Sequence, residues 1–515
     1  MRSAWLWSFF VYLALSKAHM LTLHRRDVPS VVPLDIQRKD ILDPVHRDRM
    51  RRRRDQTVGQ KLDNEETLYF CNITLGTPEQ SLRLVLDTGS SDLWCNAANS
   101  TLCSSLGSPC RTSGSYDGDS SSTYSYVSSN FNISYADGSG AVGDYVTDTI
   151  RIGGITLKDF QFGVGYSSSS SGRFIYQSFP PTKEKDKDKK KTVWLIERDC
   201  CAEGVLGIGY ALNEVQVGRF GQSAYPNLPR AMVENGLISS NAYSLWLNDL
   251  EANTGSILFG GVNKAKYIGD LKTLPVQTVD GGYSEFIIAL TGVAFASESD
   301  SHSYSSNSLP AAVLLDSGSS LTYLPDSLVE DIYSDLNVVY EASSGVGYVP
   351  CSLADESINI TYTFSDPSIT VGMGELTLDS GPLYFHDGTR ACVFGIVPAG
   401  DSTAVLGDTF LRSAYVVYDL ANNEISLANT NFDPADDDIL EIGTGDNSVP
   451  GATRVANPVT TVAVDNGSGA RIGGPTGSVS TELPTATSAA TALGVCCWHS
   501  RFLYIYAQGL ETCVQ

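Results

Sequence analysis

A chain of 515 residues with 42% hydrophobic, 10% aromatic and 18% charged residues is long enough for two lobes plus processed ends, and too apolar to be disordered throughout. The formal net charge of −23 excludes nucleic acid as a partner, because phosphates are repelled. No run of about twenty apolar residues interrupts the body, which excludes a polytopic membrane protein; the 11 cysteines suit a few staples in a secreted chain rather than a disulfide-framework miniprotein.

Residues 1–18 have the layout of a signal peptide: Arg2, an apolar run from Ala4 to Leu15, then Ser16-Lys17-Ala18 at the cleavage position. Residues 19–54 read as a basic propeptide ending in Arg51-Arg52-Arg53-Arg54, a furin-like or kexin-like processing site. Residues 1–54 hold 12 Lys+Arg and 5 Asp+Glu, which leaves 23 basic against 53 acidic residues, or −30, in the remainder. A basic segment in front of an acidic body lies across it by charge attraction, and acidification weakens that attraction by protonating carboxylates. That is a zymogen-like arrangement. Asn-X-Ser/Thr sequons at Asn72, Asn99, Asn132, Asn359 and Asn466 fit a secreted glycoprotein.

From about Glu66 to Asp433 short Val/Ile/Leu/Tyr/Phe runs alternate with Gly, Ser, Asn and Asp turns, the pattern of an all-β protein. The best helical signal is Pro325 to Tyr333, with Pro near its start. Two phrases recur in the same order. Leu84-Val85-Leu86-Asp87-Thr88-Gly89-Ser90-Ser91 returns as Val313-Leu314-Leu315-Asp316-Ser317-Gly318-Ser319-Ser320, and Gly204-Val205-Leu206-Gly207 returns as Ala404-Val405-Leu406-Gly407. This repeat implies two related lobes, 66–250 and 251–432. A single Asp-Ser-Gly is a common turn. Two of them, each ending an apolar strand in a duplicated lobe, bring Asp87 and Asp316 face to face by pseudo-symmetry. Carboxylates in contact cannot both ionise cheaply, so they share a proton. The ionised one then serves as general base on a water, and the protonated one polarises a carbonyl.

These residues resemble the pepsin family of aspartic endopeptidases, whose dyads titrate in this coupled way. The resemblance covers roughly residues 66–432, and includes Tyr69-Phe70, Gly76-Thr77-Pro78, both Asp-Thr/Ser-Gly-Ser loops, Ile133 to Ser139 and Ala404 to Ala428. It implies an all-β, bilobal fold with a cleft between pseudo-symmetric lobes, and Asp87 and Asp316 as the catalytic pair. Ser90 and Ser319 orient the pair, Thr88 and Ser317 clamp the loops, and Gly89 and Gly318 permit their turns. Tyr135, Asp137 and Gly138 hold substrate from a flap, with Trp94 as hydrogen-bond partner of Tyr135. It also implies a Cys351–Cys392 disulfide. Cys71, Cys95, Cys103 and Cys110 cluster near the first loop; their three connectivities stay open, and free buried thiols are not expected in an oxidising compartment. The resemblance implies polypeptide substrates, a monomer, and neither cofactor nor metal; the six histidines lack ligand spacing.

Two segments depart from the family pattern. Residues 167–201 carry a Ser run and the block Lys183 to Lys191, and read either as a surface loop or as a translated intron. Residues 436–490 are rich in Gly, Ser, Thr and Pro and read as a stalk. The tail at 491–515 follows in the position of a GPI signal, as in yapsin-like fungal enzymes anchored at the membrane or wall, but His499 and Arg501 interrupt it. The expected activity is aspartic endopeptidase; the rivals are a glycosidase, which also pairs carboxylates, and an inactive surface binding protein on the same fold. The acidic body leads to an expectation of basic residues in substrates.

Overall fold

The computed structural model describes residues 29–42, 65–105, 109–135, 140–169, 173–176, 196–199 and 203–462, apart from 253, 343, 344, 380, 382, 401, 435 and 461. The signal peptide, Arg51–Arg54, Asp137, Gly138, the lysine block, Asn466 and the tail at 491–515 lie outside these residues.

The apolar runs form the expected strands. They begin with β1 (Val32–Leu42), β2 (Glu65–Leu75), β3 (Gln80–Asp87), β4 (Leu93–Asn96), β5 (Ser125–Ser134), β6 (Gly140–Ile152) and β7 (Ile155–Ser169). Then come β8 (Arg173–Tyr176), β9 (Ile196–Asp199), β10 (Gly204–Gly207), β11 (Ala242–Trp246), β12 (Thr254–Phe259), β13 (Gly261–Asn263) and β14 (Tyr267–Pro275). One 14-stranded sheet joins the lobes, with β5, β6, β7, β4, β10, β3 and β2 on one side and β11, Ala414–Asp419, Glu424–Thr430 and β14 on the other. A single apolar core also crosses the lobes, with Leu84, Leu86 and Leu206 in one cluster with Ile288, Leu315, Leu406 and Tyr418.

The duplicated phrases have a common geometry. β10 lies between β3, to which it is parallel, and β4, to which it is antiparallel, with Gly207 opposite Asp87. In the second lobe Ala404–Leu406 lies in the same senses between Ala311–Leu315 and Thr322–Leu324, with Leu406 opposite Leu315. Each second phrase is thus the strand threaded beside the loop that the first phrase starts. Glycine closes both because the backbones touch: a Cβ on Gly207 would lie 2.6 Å from Ser91 N, and one on Gly407 2.3 Å from Ser319 O. The helical signal at Pro325 becomes Asp326–Leu336, with Pro325 at the N-cap position and left-handed Asn337 as its stop.

Two expectations are corrected, and the described parts of a third segment are strands. Composition after Asp436 predicts a stalk, but Ile439–Glu441 and Ala452–Arg454 pair with β13 and β14. Ile442 and Val449 are buried beneath them; average composition hides two well-placed apolar residues. In the segment before Arg51, attachment within the described residues is a ladder rather than charge alone: β1 pairs with both β2 and β12 and buries Val32, Leu34 and Ile36. In the segment 167–201, residues 167–169 complete β7, and β8 pairs antiparallel with β9; the rest of the segment lies outside the described residues. Among the described residues no helix is long and apolar enough to cross a membrane.

Candidate active site

Asp87 ends β3, and Asp316 follows the strand Ala311–Leu315. Their surroundings are the same twice over. Gly89 N–H donates to Asp87 Oδ1 at 2.9 Å and Ser90 Oγ–H to Oδ2 at 2.7 Å. Gly318 N–H donates to Asp316 Oδ1 at 2.8 Å and Ser319 Oγ–H to Oδ2 at 2.7 Å. The loops are tied across the pseudo-axis by four buried bonds. Thr88 Oγ1 donates to Leu315 O (3.1 Å) and accepts from Ser317 N–H (2.9 Å); Ser317 Oγ donates to Leu86 O (3.1 Å) and accepts from Thr88 N–H (3.2 Å). Hydroxyl residues are needed at 88 and 317 because each must give and take one bond.

The two loops meet closely. A Cβ on Gly89 would lie 2.6 Å from Asp316 Oδ1, so only glycine lets the opposing carboxylate come this near. Asp87 is 0% and Asp316 8% exposed. Tyr135 follows β5 (Ser125–Ser134) at the start of the β5–β6 connection. Trp94 Nε1–H donates to its hydroxyl at 2.7 Å, and both rings pack on a cluster with Phe131, Ile133 and Ala141. The structure therefore brings together Asp87, Thr88, Gly89, Ser90, Asp316, Ser317, Gly318 and Ser319, with Trp94 joined to Tyr135.

Cys351 and Cys392 form a disulfide, as do Cys103 and Cys110. Cys71 and Cys95 are buried free thiols, contrary to expectation. β3 and β10 separate their strands, so at about 4.8 Å per strand the two sulfurs cannot meet. Burial pushes the Cys71 thiol up to about 12. Asn72 and Asn99 are exposed, and Asn132 and Asn359 half-buried. Among the described residues no group of three or more His, Cys, Asp or Glu could hold a metal ion.

Sequence reasoning missed a buried acid cluster behind the first loop. Asp92 Oδ1 accepts from Tyr145 OH at 2.6 Å and Tyr225 OH at 3.0 Å, and its Oδ2 from Val215 N–H at 2.8 Å. Tyr145 lies on β6, so this carboxyl joins the loop after Asp87 to β6. Burial raises Asp92 above the usual carboxylate range, against these three bonds. Glu214, also buried, accepts from Tyr225 N–H at 3.0 Å. Asp92 stands inside the repeat where the second lobe has Leu321, and that asymmetry was the available signal.

The model of the eukaryotic aspartyl protease family matches residues 68–430. A probable aspartic-type endopeptidase opsB of Aspergillus oryzae is 70% identical over 493 residues, 96% of this chain and 95% of the relative. The aspartic proteinase yapsin-3 of Saccharomyces cerevisiae is 33% identical over 408 residues, 76% of this chain and 71% of the relative. Secreted aspartic protease 3 of Candida albicans is 35% identical over 387 residues, 74% of this chain and 84% of the relative. The chain belongs to the eukaryotic aspartyl protease family. Its activity is that of an aspartic-type endopeptidase, a hydrolase of peptide bonds.

Proposed function

We propose that Asp87 and Asp316 carry the hydrolysis as a dyad holding one proton. The ionised carboxylate takes a proton from a water lying between them as the oxygen attacks the scissile carbonyl carbon. The protonated partner donates to the carbonyl oxygen, giving a tetrahedral intermediate. Collapse of that intermediate breaks the C–N bond, a dyad proton passes to the leaving amine, and the new carboxyl and amine termini depart. Ser90, Ser319 and the Gly89 and Gly318 amides fix the carboxylates, while Thr88 and Ser317 fix the loops. Tyr135, braced by Trp94, closes over the substrate with Asp137 and Gly138. The matching hydrogen bonds of the two aspartate loops are the observation that carries this reading.

The same reading makes residues 1–18 a secretion signal and 19–54 a propeptide removed after Arg54. It makes the mature protein a glycosylated monomer acting on polypeptides outside the cell or at its surface. The sequence order of a polar stretch and a terminal tail supports GPI attachment at the membrane or wall. The relatives named yapsin-3 and secreted aspartic protease 3 favour an extracellular or surface site. The test is cleavage of a denatured protein across acid to neutral pH, with and without pepstatin. Pepstatin-sensitive cleavage that disappears in Asp87→Asn and in Asp316→Asn is expected. Cleavage surviving both substitutions refutes the dyad. Phospholipase release from cell membranes tests the anchor, and activity found wholly in the medium refutes it.

A further inference from the structure

Residues 437–462 lie beyond the stretch matched by the family model, yet they are fastened to the body along their length. Ile439–Glu441 pairs with β13, and Ala452–Arg454 runs parallel to β14. Ile442 and Val449 pack against Trp246, Tyr267 and Tyr415. Arg454 meets Glu424 at 2.8 Å, and Ser448 Oγ donates to Asp419 Oδ2 at 2.8 Å. None of these contacts involves residues 29–42, so the strap is held in place without them.

The strap does touch that N-terminal segment where it enters the sheet. Glu441 Oε2 accepts from Ser30 N–H at 3.0 Å, and Glu441 Oε1 accepts from Ser239 Oγ at 2.5 Å. Beside this contact the chain turns from β12 into β13 through Gly260 and Gly261. A Cβ on Gly260 would lie 3.0 Å from Ser30 O, and one on Gly261 2.6 Å from Val31 Cγ1. Ser30 and Val31 thus rest directly on the turn that carries the strap's partner strand. The ladder of β1 starts one residue later, with Val32 opposite Phe259.

We propose that the strap is a docking surface for the chain's own N-terminal segment, with Glu441 gripping the backbone at Ser30. The chemistry fits that occupant. A carboxylate accepting a main-chain N–H makes a charge-assisted bond that sets no demand on side chains, while Val32, Leu34 and Ile36 set the register by burial. The strap carries Asp437, Asp438 and Glu441, and His24, Arg25, Arg26 and Asp27 precede the grip in sequence. A strand paired at its middle frays first from its ends, so a grip two residues outside the ladder controls how readily β1 peels away. The inference rests on residues 19–54 being a propeptide: only then does the grip set the readiness of the precursor to convert.

The test uses the full chain carrying Asp87→Asn, which blocks self-cleavage, with and without Glu441→Ala, followed by hydrogen exchange. Amides of Val32–Ile36 are expected to exchange about ten-fold faster in the Glu441→Ala protein, the loss of one charge-assisted bond, with Glu441→Gln in between. Amides of β3 and of Ala414–Asp419 are expected to be unchanged. Equal protection of Val32–Ile36 in both proteins overturns the proposal. Faster exchange throughout, β3 included, also overturns it, because Glu441 then holds the body and not the segment. Sequencing the amino terminus of the active enzyme tests the propeptide separately: a terminus before Ser30 refutes that reading and leaves the exchange result to judge the grip.

Discussion

Replacing Glu214 by Gln should change how stability depends on pH, by an amount that follows from its burial. Glu214 is 0% exposed. Its Oε2 accepts from the Tyr225 amide, and its Oε1 has no hydrogen-bond partner among the described residues. Burial lifts its carboxyl from 4.5 to about 8, against the Tyr225 bond and with the nearby Asp92 charge adding to the rise. Because the folded value is raised, the native chain keeps a proton that the unfolded chain releases. The resulting stability is fully present below the unfolded value of 4.5 and is lost as pH climbs toward about 8. At about 1.4 kcal/mol per pH unit, at most roughly 3 kcal/mol is gone by about pH 7. Glutamine keeps an acceptor for Tyr225 and has no proton to lose. In urea unfolding the two proteins should therefore nearly coincide near pH 4, and the Gln variant should become steadily more stable toward neutrality. Parallel curves over the whole range would refute the argument.

Other expectations concern the loops and their supports. Gly89→Ala places a methyl group against Asp316 and should lower kcat by about 100-fold, the cost of a misplaced reacting group, with the urea midpoint near wild type; unchanged kcat refutes the close approach. Thr88→Val leaves Ser317 N–H and Leu315 C=O without their partner and should cost about 2–4 kcal/mol in urea unfolding. Tyr135→Phe removes the acceptor of Trp94 Nε1–H and should lower kcat/KM about ten-fold at constant stability; a loss of stability alone would make Tyr135 a packing residue. Removing the Cys351–Cys392 bridge, which spans 41 residues, should cost roughly 4 kcal/mol, against roughly 2 kcal/mol for Cys103–Cys110, which spans 7; calorimetry of the two Cys→Ser pairs checks the order.

Much of the fold and nearly all of the dyad were legible because they rest on local chemistry repeated twice. An apolar strand running into Asp-Thr/Ser-Gly-Ser specifies strand, turn and carboxylate together, and its recurrence at 87 and 316 specifies two lobes. The hydroxyl at 88 or 317 is readable as a hydrogen-bonding group, but not which atom it meets. That is settled only when Leu315 and Leu86 arrive from opposite lobes, more than 200 residues apart in the chain.

Taken alone, the sequence defines the class of chain: acidic in composition, β-rich in pattern and duplicated in its phrases, with glycine at each loop that approaches its partner. Composition misled wherever a few residues outweigh an average. The Gly/Ser/Thr-rich text after Asp436 looks unstructured, yet Ile442 and Val449 find a pocket made by Trp246, Tyr267 and Tyr415. The charge contrast between the N-terminal segment and the body was visible, while the slot between β2 and β12 was not, because strand order in a sheet depends on partners distant in sequence. Cys71 and Cys95 sit 24 positions apart and looked available to each other; the two strands inserted between them decided otherwise. Tertiary structure alone also buried Glu214 next to Asp92, since the desolvation that raises a carboxyl is a property of the surrounding atoms and not of the residue.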